Sequence, residues 1–241
     1  MDKAPSPFSN NPDVGAPAET RHLDLPGRGL RYGVIILAAG ASTRMGFPKQ
    51  LLELAGQPLL VRAVEAALAS SAWPVVVVLG AHAEKIRPSL ALLPVLIAEN
   101  PAWAEGMAAS IRAGITTLRQ FSRALDAAVI ALGDQPAFSA GVIARLVAEQ
   151  QRSGRTIVAS RYARRQGAPA LFLRTHFPTL AALTGEEGAR ALLNGDPQHV
   201  ATVDLPELAL DVDTPADYAA AKTAPAPGAD SPTRDFPGKA T

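Results

Sequence analysis

With 241 residues and 48% apolar side chains, the chain is long and hydrophobic enough to bury the core of one α/β domain. Its formal charge of +1 gives no global field toward nucleic acid or a membrane, and no apolar run approaches the roughly 18–20 residues that span a bilayer. It has no cysteine, which excludes disulfides and thiol chemistry, and His22, His82, His176 and His199 are too scattered for a zinc site.

Residues 1–30 are rich in Pro, Gly and polar side chains and read as a flexible tail. They begin Met1-Asp2-Lys3, without the apolar segment of a secretory signal, so the cytoplasm is the expected compartment. Residues 224–241 read as a second tail, which leaves 31–223 as the folded domain. Gly33–Ala39 is apolar and β-branched, the pattern of a buried strand, and Pro58–Ser70 follows with helical spacing. Next come a strand at Val75–Leu79, a helix at His82–Leu90, a short strand at Val95–Ala98 and a helix at Gly106–Arg119. Ala127–Leu132 is a strand, and Ser139 caps a helix that runs to Gln151. Farther on, Thr156–Ser160, Ala170–Leu173, Val200–Val203 and Ala209–Val212 have strand character, and Glu187–Asn194 and Pro215–Thr223 helical character. Strands that alternate with helices imply right-handed βαβ units. The expected fold is therefore an open, doubly wound, mostly parallel sheet with helices on both faces. Such sheets bind ligands beyond the carboxyl ends of their strands.

The loop after the first strand is rich in small residues, which let the backbone approach an anion closely, and Arg44 and Lys49 add positive charge. No acidic residue lies between Leu25 and Leu52. Neither G-x-x-x-x-G-K-[ST] nor G-x-G-x-x-G is present, so the residues alone also suit an ordinary strand-to-helix loop. The whole segment Leu37–Leu52, LAAGASTRMGFPKQLL, closely resembles the signature of the nucleotidyltransferases that complete the molybdenum cofactor, in particular its cytidylyltransferases. The resemblance implies a nucleotide-diphospho-sugar transferase-like fold. It also implies a nucleotide-binding segment of Leu37, Ala38, Ala39, Gly40 and Ser42, with Arg44 and Lys49 neutralising a triphosphate. Ala38-Ala39 stands where the related guanylyltransferases carry Gly-Gly, which favours CTP over GTP.

Asp134 follows the strand Ala127–Leu132 in Gly133-Asp134-Gln135-Pro136, at the crevice end. A carboxylate there suits Mg²⁺ held together with substrate phosphates, and it equally suits a turn residue. Leu132–Pro136 resembles the family's metal-binding motif, which makes Asp134 a catalytic and metal-binding candidate. In Leu210–Pro215, Asp211 and Asp213 would share one face of a strand, whereas Asp217 completes a capping box with Thr214. Asp213 is the preferred second metal ligand.

Asn100–Ser110 resembles the family's N-P-x-W-x-x-G-M-x-x-S segment, which assigns Gly106 and Ser110 to the nucleotide. Taken singly, Trp103 and Met107 read as core. Arg161, Arg164, Arg165 and the segment Gly185–Arg190 match the regions that receive a molybdopterin-type acceptor, although Ala168 stands where a His is often found. The implied reaction moves CMP from CTP to the acceptor phosphate with Mg²⁺ and releases pyrophosphate. A different phosphorylated acceptor, GTP as donor, and a non-catalytic cofactor carrier serving a molybdoenzyme client are the alternatives.

Overall fold

The computed structural model describes residues 29–210, 212 and 214–223. The rest of both expected tails, together with Asp211 and Asp213, lies outside the described residues. The strands are β1 (Tyr32–Ala38), β2 (Glu53–Leu54), β3 (Gln57–Pro58), β4 (Val75–Leu79), β5 (Leu96–Glu99), β6 (Ala127–Leu132), β7 (Ile157–Tyr162), β8 (Arg165–Leu173) and β9 (Val200–Asp204). The α-helices are α1 (Leu59–Leu68), α2 (Ala83–Ile86), α3 (Met107–Phe121), α4 (Ala140–Ser153), α5 (Phe177–Ala181), α6 (Arg190–Leu193) and α7 (Pro215–Thr223).

The main sheet has the order β5-β4-β1-β6-β8-β7-β9, and only β8 runs antiparallel to its neighbours. Side-chain alternation along β1 explains the two layers that cover it. Val34, Ile36 and Ala38 pack with α1, α2 and α4, whereas Ile35 and Ala39 pack with α3, α5 and α6. Gly114 allows α3 to lie close to the sheet, because a Cβ there would fall 2.4 Å from Ile35 Cγ2. The mostly parallel, doubly wound fold read from the pattern is the observed one. No helix among the described residues is long and apolar enough to cross a membrane.

Ser139 caps α4 by accepting from Val142 N–H, and Thr214 and Asp217 exchange capping bonds at the start of α7. Three segments differ from expectation. His82–Leu90 is split into α2 and a 3-10 turn at Arg87–Leu90, where Pro88 has no N–H to continue the helix. Gly188, at a φ of +60°, delays the expected Glu187 helix until Arg190. Ala209, expected to start a strand, ends the 3-10 turn Pro206–Ala209, and Val212 is buried with Leu59 and Ala221 instead of joining the sheet.

Candidate active site

The parallel strands β1, β4, β5 and β6 end at one rim of the sheet, and the β7–β8 turn lies at the same rim. A cleft of about 470 Å³ opens there. Leu37, Ala38, Ala39 and Gly40 line it from the end of β1, Gly106 and Ser110 from the start of α3, and Lys49 and Asp134 from the loops after β1 and β6. Lys49 Nζ and the Asp134 carboxylate form an ion pair, and their side chains are only 18% and 14% exposed. The first segment and the segment after β6 converge because β1 and β6 are paired neighbours, with Leu37 beside Leu132.

Arg44 and Ser42 do not line this cleft. Arg44 is exposed on the loop. The Ser42 hydroxyl accepts from Lys49 N–H at 3.2 Å and donates to Gln50 Oε1 at 3.3 Å, so it closes the loop on itself. Ser110 is 6% exposed, and its hydroxyl accepts from Asn100 Nδ2 at 3.1 Å. Gly106 has a φ of +103° and a ψ of −168°, a conformation essentially restricted to glycine, and a Cβ there would meet Glu186 Cα at 2.7 Å. Trp103 and Met107 belong to the cleft rather than the core, at 38% and 43% exposure.

A second cleft of about 460 Å³ adjoins the first and shares Leu37, Met107 and Leu132 with it. Ile111, Ile130, Ala170 and Phe172 add apolar walls, while Tyr162, Arg165, Gln166, Glu186, Glu187 and Arg190 bring polar groups. Arg161 is turned elsewhere: its guanidinium pairs with Asp204 on β9, and that hydrogen bond raises its pKa and lowers that of Asp204. Gln135 Nε2 donates to Tyr162 Oη and to the Ala168 carbonyl, which ties the end of β6 to the β7–β8 hairpin. Tyr162 Oη also donates to that carbonyl. Ala168 therefore serves through its backbone, and a residue without a polar side chain suffices for this link.

Sequence reasoning missed Gln50 and His82. Gln50 is 3% exposed and donates to the carbonyls of Ala38 and Gly40, and His82 Nε2 lies 2.8 Å from the Ala41 carbonyl. In the sequence, only the position of Gln50 directly after Lys49 could have pointed to it, since its burial appears only in the fold.

Among the described residues, no group of three or more His, Cys, Asp or Glu could hold a metal alone. Asp134 supplies a hard oxygen donor inside a cleft that also carries Lys49. That donor set fits a divalent ion that takes one or two carboxylates and completes its shell with phosphate oxygens and water.

The family described as MobA-like NTP transferase domain matches residues 34–203. The chain belongs to that family. This MobA-like protein is a nucleotidyltransferase, and every residue that lines its first cleft falls within the matched span. It is 34% identical over 191 residues to nicotine blue oxidoreductase of Paenarthrobacter nicotinovorans, which covers 75% of this chain and 91% of that protein. It is 32% identical over 200 residues to purine catabolism protein PucB of Bacillus subtilis (strain 168), covering 76% and 92%. Among solved structures, Rv0371c of Mycobacterium tuberculosis H37Rv superposes with a TM-score of 0.71 at 28% identity, over 82% of this chain and all of that one. The complex of Rv0371c with manganese aligns with a TM-score of 0.64 at 27% identity, over 79% and 97%.

Proposed function

We propose that the protein transfers CMP from CTP to the terminal phosphate of a molybdopterin-type acceptor. The observation that carries this reading is the meeting of the Leu37–Gly40 segment, Lys49 and Asp134 in one cleft beside a second, largely apolar one. The first cleft takes the triphosphate and nucleoside, and the second takes the acceptor. An acceptor phosphate oxygen forms a bond to the α-phosphorus while the bond from that phosphorus to the bridging oxygen breaks. The electron pair leaves with pyrophosphate, and the anionic nucleophile needs no general base. Positioning and charge neutralisation supply the catalysis. Lys49 offsets charge on the departing pyrophosphate, and Trp103 lines the same cleft beside Gly106. Asp134 would hold the divalent ion, with Asp213 as the second carboxylate. Mg²⁺ bound there would neutralise phosphate charge and stabilise the leaving group. The manganese complex of Rv0371c, a structure to which this chain is similar, supports a divalent ion at the proposed site.

Pyrophosphate release from CTP, GTP, ATP and UTP with Mg²⁺ and a molybdopterin acceptor tests the proposal. It should be run alongside a thermal-shift panel, in which a nucleotide at 100 times its Kd adds about 2.7 kcal/mol of stability. Asp134→Ala should lose on the order of 10²–10³ in rate while remaining folded. Release with GTP alone would reassign the donor, and near-normal turnover by Asp134→Ala would remove Asp134 from the mechanism. The relative named nicotine blue oxidoreductase favours a second reading, in which the same cleft serves a redox reaction. Redox turnover without pyrophosphate release would select it.

A further inference from the structure

A loop that binds a triphosphate must present N–H groups to it and keep carbonyl oxygens away. In a planar trans peptide the C=O and the following N–H point to opposite sides, so a group that fixes the carbonyl also aims the N–H. Neither cis peptide of the described chain falls in this loop. From Ala38 to Ala41 each of its carbonyls is held by the protein. Ala38 O and Gly40 O accept from Gln50 Nε2 at 3.1 and 3.3 Å, Ala39 O accepts from Ala81 N–H at 3.1 Å, and Ala41 O meets His82 Nε2.

The Gln50 side chain reaches several points of the loop at once. Both halves of its amide are engaged, because Oε1 accepts from Ser42 Oγ while Nε2 serves the two carbonyls. Ser42 sits in the left-handed region at a φ of +53°, and its hydroxyl also receives Lys49 N–H. The Lys49 backbone and the small-residue loop are thus fastened through the same amide. A glutamate of the same shape has no N–H to give, and an apolar side chain has neither donor nor acceptor. In either case the carbonyls lose their partner and are free to turn toward the cleft.

Resting on the nucleotidyltransferase reading, we infer that Gln50 is a positioning residue that keeps the N–H face of the loop toward the triphosphate. It acts through the loop, so its loss weakens phosphate binding more than it slows the bound substrate. The test measures CTP and inorganic tripolyphosphate binding by calorimetry with Mg²⁺, and KM and kcat for CTP, in Gln50→Glu and Gln50→Met. Both affinities should fall on the order of 10–100-fold, the effect of leaving buried carbonyls unpaired, with kcat within about threefold of wild type. Thermal melting without nucleotide reports on folding. If Gln50→Met does not fold, the isosteric Gln50→Glu carries the test. A folded variant with wild-type affinity for both ligands, or one that loses kcat at unchanged KM, overturns the inference. Failure of the wild-type protein to bind either ligand overturns instead the nucleotidyltransferase reading on which it rests.

Discussion

Replacing Lys49 by methionine removes the ammonium and keeps most of the aliphatic stem. Any cation drawn to Asp134 competes with that ammonium, and any triphosphate drawn to Lys49 competes with that carboxylate. The two side chains are largely shielded, so an effective dielectric of about 20 at ~4 Å gives a gross attraction of about 4 kcal/mol. Desolvation of both charges offsets part of it, which leaves a net effect of about 1.5–3 kcal/mol. Lys49→Met should therefore bind Mn²⁺ roughly 10–100-fold more tightly than wild type when no nucleotide is added. The same variant should bind CTP more weakly by a comparable factor, because a charge-assisted contact is lost. Loss of the free-Mn²⁺ paramagnetic resonance signal gives the first number and calorimetry the second, with Asp134→Asn as the variant that abolishes the metal effect. Opposite signs for the two ligands are the signature of a shared ion pair. Unchanged or weaker Mn²⁺ binding by Lys49→Met would refute the reasoning.

Gly106→Ala should destabilise the fold by about 1–3 kcal/mol, since the new Cβ meets Glu186 Cα at 2.7 Å in a backbone conformation that alanine avoids. A urea denaturation midpoint equal to that of wild type would contradict this close contact. His176 governs an acid limb of stability. Burial first, and then repulsion from His199, holds its pKa below the ordinary value of 6.5. The unfolded chain therefore binds the proton more readily, and the stability present above pH 6.5 declines as pH falls toward the folded-state pKa. Urea melts at pH 5.5 and 7.5 should differ less in His176→Gln than in wild type, and an equal difference would remove His176 from that limb.

β4 and β6 were legible to the residue because each is a continuous apolar run buried on both faces and bounded by turns. The start of α7 was equally plain from Thr214 and Asp217, since a capping box is a local device. The β7–β8 hairpin left no such trace. Its turn places Ala163 and Arg164 at φ values of +47° and +60°, which residue type does not favour, and tertiary pairing overrides that preference. At the site, the converging segments were visible as motifs. Their internal wiring was not, because Ser42, Gln50 and His82 act through bonds that exist only once the chain has returned on itself.

The two clefts stand on different supports. Parallel strands fix the first, whereas the hairpin of β7 and β8, with a register shift at Ala159 and Ser160, forms much of the second. A hairpin can lengthen, shorten or exchange its tip while the ladder between β1 and β6 keeps its alignment. With the donor in the first cleft and the acceptor in the second, as proposed, descendants of such a scaffold would diversify what they modify without relearning how to hold the donor, and transplanting residues 161–168 between relatives should alter selectivity.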